Sequence, residues 1–306
     1  MAAEAPSSLR AWIFGSGQLR AGWRIAVFVA LFFAVLLVIQ SVVAALLGPG
    51  SRWNAVVGPL LAALAAGMLM LRLFDGRPAG ALGFAWGPSA LRESVVGFGI
   101  GGALISVVAL LLVVTASAYW VPDDGSWADY LRLLGDSLLF FGLAAALEEA
   151  LFRGYPFQAL VQGIGAWPAI VLSSLLFAFA HGRNPHVSGL ALVNILLAGV
   201  WLGIAFLRTR SLWFATGAHA GWNWTMASLF DFPVSGLTMD TPLYDVRPVG
   251  VDWWTGGSFG PEGGLAATLA MLLGAGWLLR TRRVRPSPEV RATGPLVDAR
   301  LGPAWG

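Results

Sequence analysis

Long apolar runs, broken by short clusters of arginine, proline and glycine, dominate the chain. A hydrocarbon core of about 30 Å asks for roughly 20 such residues per helix. The pattern predicts about eight spans, near 25–47, 53–71, 95–118, 133–154, 166–181, 190–207, 212–230 and 265–279. The first three hold almost no polar atoms. The first also lacks the small-residue cleavage site of a signal peptide and is too long for one, so it is expected to be retained. The fold class that follows is all-α, a polytopic transmembrane helix bundle.

Composition sharpens this picture. Hydrophobic residues make up 57% and charged residues 11% of the 306 positions, with a mean hydropathy of +0.73; soluble domains carry about 25% charged residues. Cysteine is absent, which excludes disulfides, thiolate metal sites and cysteine nucleophiles. All 19 basic residues are arginine and the net charge is +3. Their placement beside the spans argues against a nucleic-acid partner. With the N-terminus in the cytoplasm, every arginine except Arg52, Arg132, Arg183 and Arg247 falls on the inner side, Arg10 among them. The positive-inside rule then predicts an even number of spans and cytoplasmic termini. The acids Asp123, Asp124, Asp129, Asp231, Asp240, Asp245, Asp252 and Glu262 fall in outer loops. Three regions result: a cytoplasmic N-terminal segment 1–24, a transmembrane domain 25–280 and a basic tail 281–306, aperiodic and expected to lie disordered along the anionic inner leaflet.

Some motif-like strings carry no activity. Gly97, Gly99 and Gly102 satisfy G-x-G-x-x-G, but no strand precedes them, and close helix packing explains them better. Gly199 with Gly203, and Gly217 with Gly221, are small-xxx-small spacings of the same kind. The sequon Asn223-Trp224-Thr225 lies within a predicted span, out of reach of a glycosyl transferase. No G-x-S-x-G, P-loop or H-E-x-x-H string occurs.

Ionisable groups inside a span persist mainly where they pair or line a wet cavity. The fourth predicted span ends in EEALFR, Glu148 to Arg153. Glu149 and Arg153, four apart, share a helix face and can pair, whereas Glu148 is rotated by about 100° and points elsewhere. The fifth carries FAFAH, with Phe177 and His181 on one face, and the seventh carries HAGWN, with His219 and Asn223 one turn apart. Asn194, alone in the sixth, reads as interhelical glue.

Hydrolysis of a peptide bond needs an activated water, a stabilised oxyanion and a proton for the leaving amine. A buried glutamate is a competent base and then acid, which suits Glu148. His181 can hold or polarise the same water, and His219 with Asn223 can donate to the oxyanion. Equally, Glu148, His181 and His219 can bind zinc, which lowers the pKa of bound water to about 7. The residues alone leave both schemes open. A Glu148 side chain more than about 10 Å from both His181 and His219, or facing lipid, would rule out either scheme.

The three motifs in this order resemble the CPBP intramembrane proteases, a family that includes the CAAX prenyl endopeptidase Rce1 and bacterial Abi-type proteins. The family pattern is EExxxR, FxxxH and HxxxN or HxxxD on successive membrane helices, and FLRTRSLWFATGAH also resembles the segment before the third motif. The likeness covers about 133–230. It implies an intramembrane endopeptidase in which Glu148 and His181 activate water, His219 and Asn223 form the oxyanion site, and Glu149, Arg153 and Phe177 support them. The implied partners are a membrane-embedded or lipidated protein or peptide and the lipid bilayer, and arginine-only, alanine-rich usage points to a bacterial inner membrane. The alternative is a non-proteolytic membrane scaffold or a bacteriocin self-immunity protein using the same helices.

Overall fold

The computed structural model describes residues 12–15, 18–302 and 305. Arg10 and the first eleven residues of the predicted N-terminal segment lie outside the described residues. Ten main helices follow in order: α1 Ala21–Leu47, α2 Val57–Phe74, α3 Pro88–Val114, α4 Trp127–Phe152, α5 Tyr155–Ile164, α6 Ala166–Ala180, α7 Gly189–Thr209, α8 Leu212–Trp224, α9 Leu265–Arg280 and α10 Pro288–Thr293. Starts are set by local chemistry. Ser126, Ser188, Ser211 and Ser287 accept backbone N–H bonds at the N-termini of α4, α7, α8 and α10, and proline sits in the first turn of α3 and α5.

The protein is mostly helical. Among the described residues, five segments are long and apolar enough to cross a membrane: Ala21–Leu47, Arg52–Phe74, Pro88–Val114, Trp127–Ile164 and Gly189–Thr209. The apolar helices Ala166–Ala180 and Leu265–Arg280 are shorter, and α8 is shorter still before it continues as a π-helical turn, Thr225–Leu229. The span predicted at 133–154 ends at Phe152, where the chain turns at Gly154 into α5, an element absent from the sequence reading. A Cβ on Gly154 would overlap Ala150 O, so the turn needs glycine.

Two departures from the all-α expectation lie outside the helices. Phe14–Gly15 (β1) pairs with Gln18–Leu19 (β2), and Ala118–Pro122 (β3) pairs antiparallel with Tyr244–Pro248 (β4), Trp120 opposite Val246. The β3 and β4 strings are aromatic and β-branched, suited to a small sheet in a loop region.

The tail departs more clearly. Residues 281–302 are not aperiodic: α10 is followed by a 3₁₀ turn, Leu296–Ala299, and Val290, Leu296 and Val297 are buried. Gln158 of α5 explains it. Its amide donates to Ala81 O and Leu82 O at 3.0 and 2.9 Å, and its oxygen accepts from Leu296 N at 3.1 Å. A buried glutamine needs these partners, and the tail supplies one of them.

Two features fix the bundle around its centre. Helices α3 and α8 approach backbone to backbone: a Cβ on Gly97 or Gly101 would overlap Phe214 O or Ala218 O, and one on Gly217 or Gly221 would overlap Ser94 O or Phe98 O. The small-residue reading of Gly97, Gly217 and Gly221 is therefore realised, whereas Gly99 faces open space. At the end of the bundle where α1 begins, Arg24 donates to Tyr155 Oη (2.9 Å), Gln162 Oε1 (2.8 Å) and Asp75 Oδ1 (2.6 Å), joining α1 to α5 and to the end of α2.

Candidate active site

The motif side chains project from α4, α6 and α8 into one cavity of about 380 Å³. Its wall includes Phe140, Phe141, Ile195, Trp201 and Met271, so it is largely apolar with a polar end. Glu148, His181, His219 and Asn223 all line it, as does Phe177.

Helical geometry separates the two adjacent carboxylates as predicted. Glu149 is fully buried and its Oε1 accepts from Arg153 Nη1 at 3.0 Å, while Arg153 Nη2 donates to Gly199 O of α7 at 3.1 Å. The guanidinium also stacks 4.5 Å from the centre of the Phe177 ring, a favourable cation–π arrangement. Glu148 instead faces the cavity, with its side chain 30% exposed and an Oε2 that has no hydrogen-bond partner among the described residues.

Both imidazoles meet that oxygen. His181 Nε2 lies 3.9 Å and His219 Nε2 3.8 Å from Glu148 Oε2. Each ring is held from behind. His181 Nδ1 is 2.8 Å from Phe177 O, and His219 Nδ1 is 2.9 Å from Glu149 Oε1. A carbonyl and a carboxylate can only accept, so both Nδ1 atoms carry a proton, and each ring turns its Nε2 toward Glu148. Glu149 thus does more than brace Arg153: it orients His219, a tertiary contact that helix spacing does not reveal.

Those donors are chemically a zinc set, but their spacing is wide for one. Bonds of about 2.0–2.2 Å to a tetrahedral ion place ligand atoms about 3.4 Å apart, against 3.8 and 3.9 Å here. Among the described residues no group of three or more His, Asp or Glu side chains is arranged to hold a metal ion. A water at about 2.8 Å from Glu148 Oε2 and from either Nε2 fits the observed 3.8 and 3.9 Å spacings.

Sequence reasoning missed one carboxylate here. Glu262, assigned to an outer loop, sits buried in a 3₁₀ turn before α9 and lines the same cavity. Burial pushes its carboxyl above the ordinary range, opposed by hydrogen bonds from Ser235 and by the two imidazoles. Asn194 is the glue expected of it: it donates to Glu262 O (2.8 Å) and Gly264 O (2.9 Å), and accepts from Thr268 Oγ1 (2.6 Å).

A carboxylate and two imidazoles are thus brought together in one cavity among the apolar helices of a membrane-embedded protein. Residues 131–225, which carry all three motifs, match the family described as type II CAAX prenyl endopeptidase Rce1-like. No curated protein matches the chain.

Proposed function

We propose that the chain is an intramembrane endopeptidase that hydrolyses a peptide bond of a membrane-embedded or lipidated protein with a water activated by Glu148. The observation that carries this is the convergence of Glu148 Oε2 with the Nε2 atoms of His219 and His181 at 3.8 and 3.9 Å. A water held there donates one hydrogen toward Glu148 and the other toward an imidazole. Glu148 takes the proton as the oxygen adds to the scissile carbonyl carbon. The resulting oxyanion is met by the Asn223 amide and by the Nε2–H of His219, which enters the step already protonated and is held in that form by the Glu149 carboxylate behind it. Glu148 then returns the proton to the leaving amine as the C–N bond breaks, giving a free acid and a free amine.

The wide donor spacing favours this metal-free route over zinc, and no step above requires a metal. The same reading keeps the arginine-rich ends cytoplasmic, completes the count to eight spans with the shorter apolar helices, and places the protein in a bacterial inner membrane. The test is a comparison of membrane-derived peptides from cells bearing the intact protein or Glu148→Ala, with and without a chelator. Peptides that vanish with Glu148→Ala and persist with chelator support the proposal. An identical peptide set from the variant removes it.

A further inference from the structure

Glu262 lies beyond the family-matched residues 131–225, yet its carboxylate is engaged on both oxygens within the cavity wall. Oε1 accepts from Trp222 Nε1 at 3.1 Å, on α8 between His219 and Asn223. Oε2 accepts from both Ser235 N and Ser235 Oγ at 2.8 Å. Across the turn, Asn184 Nδ2, three residues after His181, donates to Ser235 O at 3.1 Å.

Ser235 is an unusual place for such a grip. Val234 and Leu237 pair across a tight turn whose two central residues, Ser235 and Gly236, both have positive φ, +50° and +85°. Glycine takes this left-handed conformation freely and serine does not. A Cβ on Gly236 would overlap Pro185 O, so the second position is closed to other residues as well. An L-residue stays in such a conformation only where its surroundings over-determine it, and here Glu262 and Asn184 supply the determination.

The position of the turn gives this grip a use. Val234, Ser235 and Leu237 line the catalytic cavity, while Pro233, Gly236 and Thr238 line a surface cleft on the other side. Leu237 is 62% exposed. The turn is therefore a thin partition between cavity and exterior, secured by the Glu262 and Asn184 side chains and by one backbone bond from Gly236 N to Phe259 O (2.9 Å), whereas much of the opposing wall is packed helix. Such irregular, hydrogen-bonded segments open at lower free energy than helices in a core.

We infer that Glu262 is a positioning residue that latches the Val234–Leu237 turn across the catalytic cavity, and that a peptide segment reaches Glu148 when this latch releases. The nature of what passes rests on the proteolytic reading; the movable wall does not.

The absence of cysteine makes the test direct, because any introduced thiol is unique. Ile195→Cys, 2% exposed in the cavity wall, reports access, and Ala66→Cys, fully buried in the core, reports general loosening. Each is reacted with a water-soluble methanethiosulfonate reagent in detergent micelles, alone and combined with Glu262→Gln. The glutamine amide cannot accept from both Trp222 and the Ser235 pair, so part of the latch is lost. The expected result is about a tenfold faster reaction at position 195, the factor that one lost hydrogen bond to a charged group yields, with position 66 unchanged. Ser235→Ala, which removes only the Oγ bond, gives a smaller rise at 195 and serves if Glu262→Gln does not fold. No acceleration at 195, or equal acceleration at 195 and 66, overturns the latch. Proteolysis is not read in this experiment, so loss of the latch and loss of the protease reading remain separate results.

Discussion

Replacing Glu149 with glutamine keeps the side-chain shape and removes one charge, and the surroundings set its cost. Glu149 is 0% exposed, its partner Arg153 1% and His219 8%. Both bonds converge on Oε1, at 3.0 and 2.9 Å. Breaking a buried ion pair from one side costs about 3–5 kcal/mol because the remaining charge is stranded. The amide oxygen still accepts, so the lower end, about 3 kcal/mol, applies. At roughly 2 °C per kcal/mol for a protein of this size, the melting temperature falls by about 6 °C. Glu148→Gln is the control on the next residue. Its side chain is 30% exposed and Oε2 has no partner to lose, so solvent screening limits the change to less than about 1 kcal/mol. Thermal unfolding followed by the fluorescence of the 15 tryptophans, in one detergent throughout, separates the two. Cleavage falls in both variants, fully in Glu148→Gln and toward the roughly 10,000-fold loss that follows removal of an imidazole-orienting carboxylate in Glu149→Gln. Equal melting temperatures for the two variants would refute the assignment of one carboxylate to structure and the other to chemistry.

Other perturbations test other parts of the argument. Gly221→Ala drives a methyl into Phe98 O and should cost about 1–3 kcal/mol with loss of activity, whereas Gly99→Ala meets nothing within 4 Å and should leave melting unchanged or raised; comparable losses in both would show that the α3–α8 contact is not what positions His219. Cleavage should survive 1,10-phenanthroline and exhaustive dialysis, and activity lost on chelation and restored by zinc would return the metal scheme. Arg24→Met strands the buried Asp75 carboxylate and two further partners, so a drop in stability of about 3 kcal/mol is expected by chemical denaturation; a change under 1 kcal/mol would make that brace incidental.

The parts of the site that were legible from sequence are those fixed within one helix. The four-residue spacing gives the Glu149–Arg153 pair, and the 100° rotation between neighbours sends Glu148 to the cavity. Convergence of Glu148, His181, His219 and Asn223 followed from the cost of placing such groups in lipid. The Glu149–His219 bond was hidden because it joins residues 70 positions apart. Glu262 was hidden because a loop acid beside glycines has no periodicity and was weighed only for topology. Helix α5 was missed because ten residues cannot span a bilayer and the apolar-run criterion passes over them. Its lone Gln158 within YPFQAL was the available signal, since a buried amide must find partners somewhere.

The hydrogen bond from Leu296 to Gln158 also bears on how the protein is made. The two residues are 138 positions apart, and at 5–20 residues per second a ribosome needs about 7–28 s to travel between them. During that interval α5 is already synthesised while its amide oxygen lacks the partner it will keep. That polar seam is thus completed only by a stretch made after all the apolar helices, and a nascent chain stalled before residue 296 leaves the Gln158 oxygen without this partner.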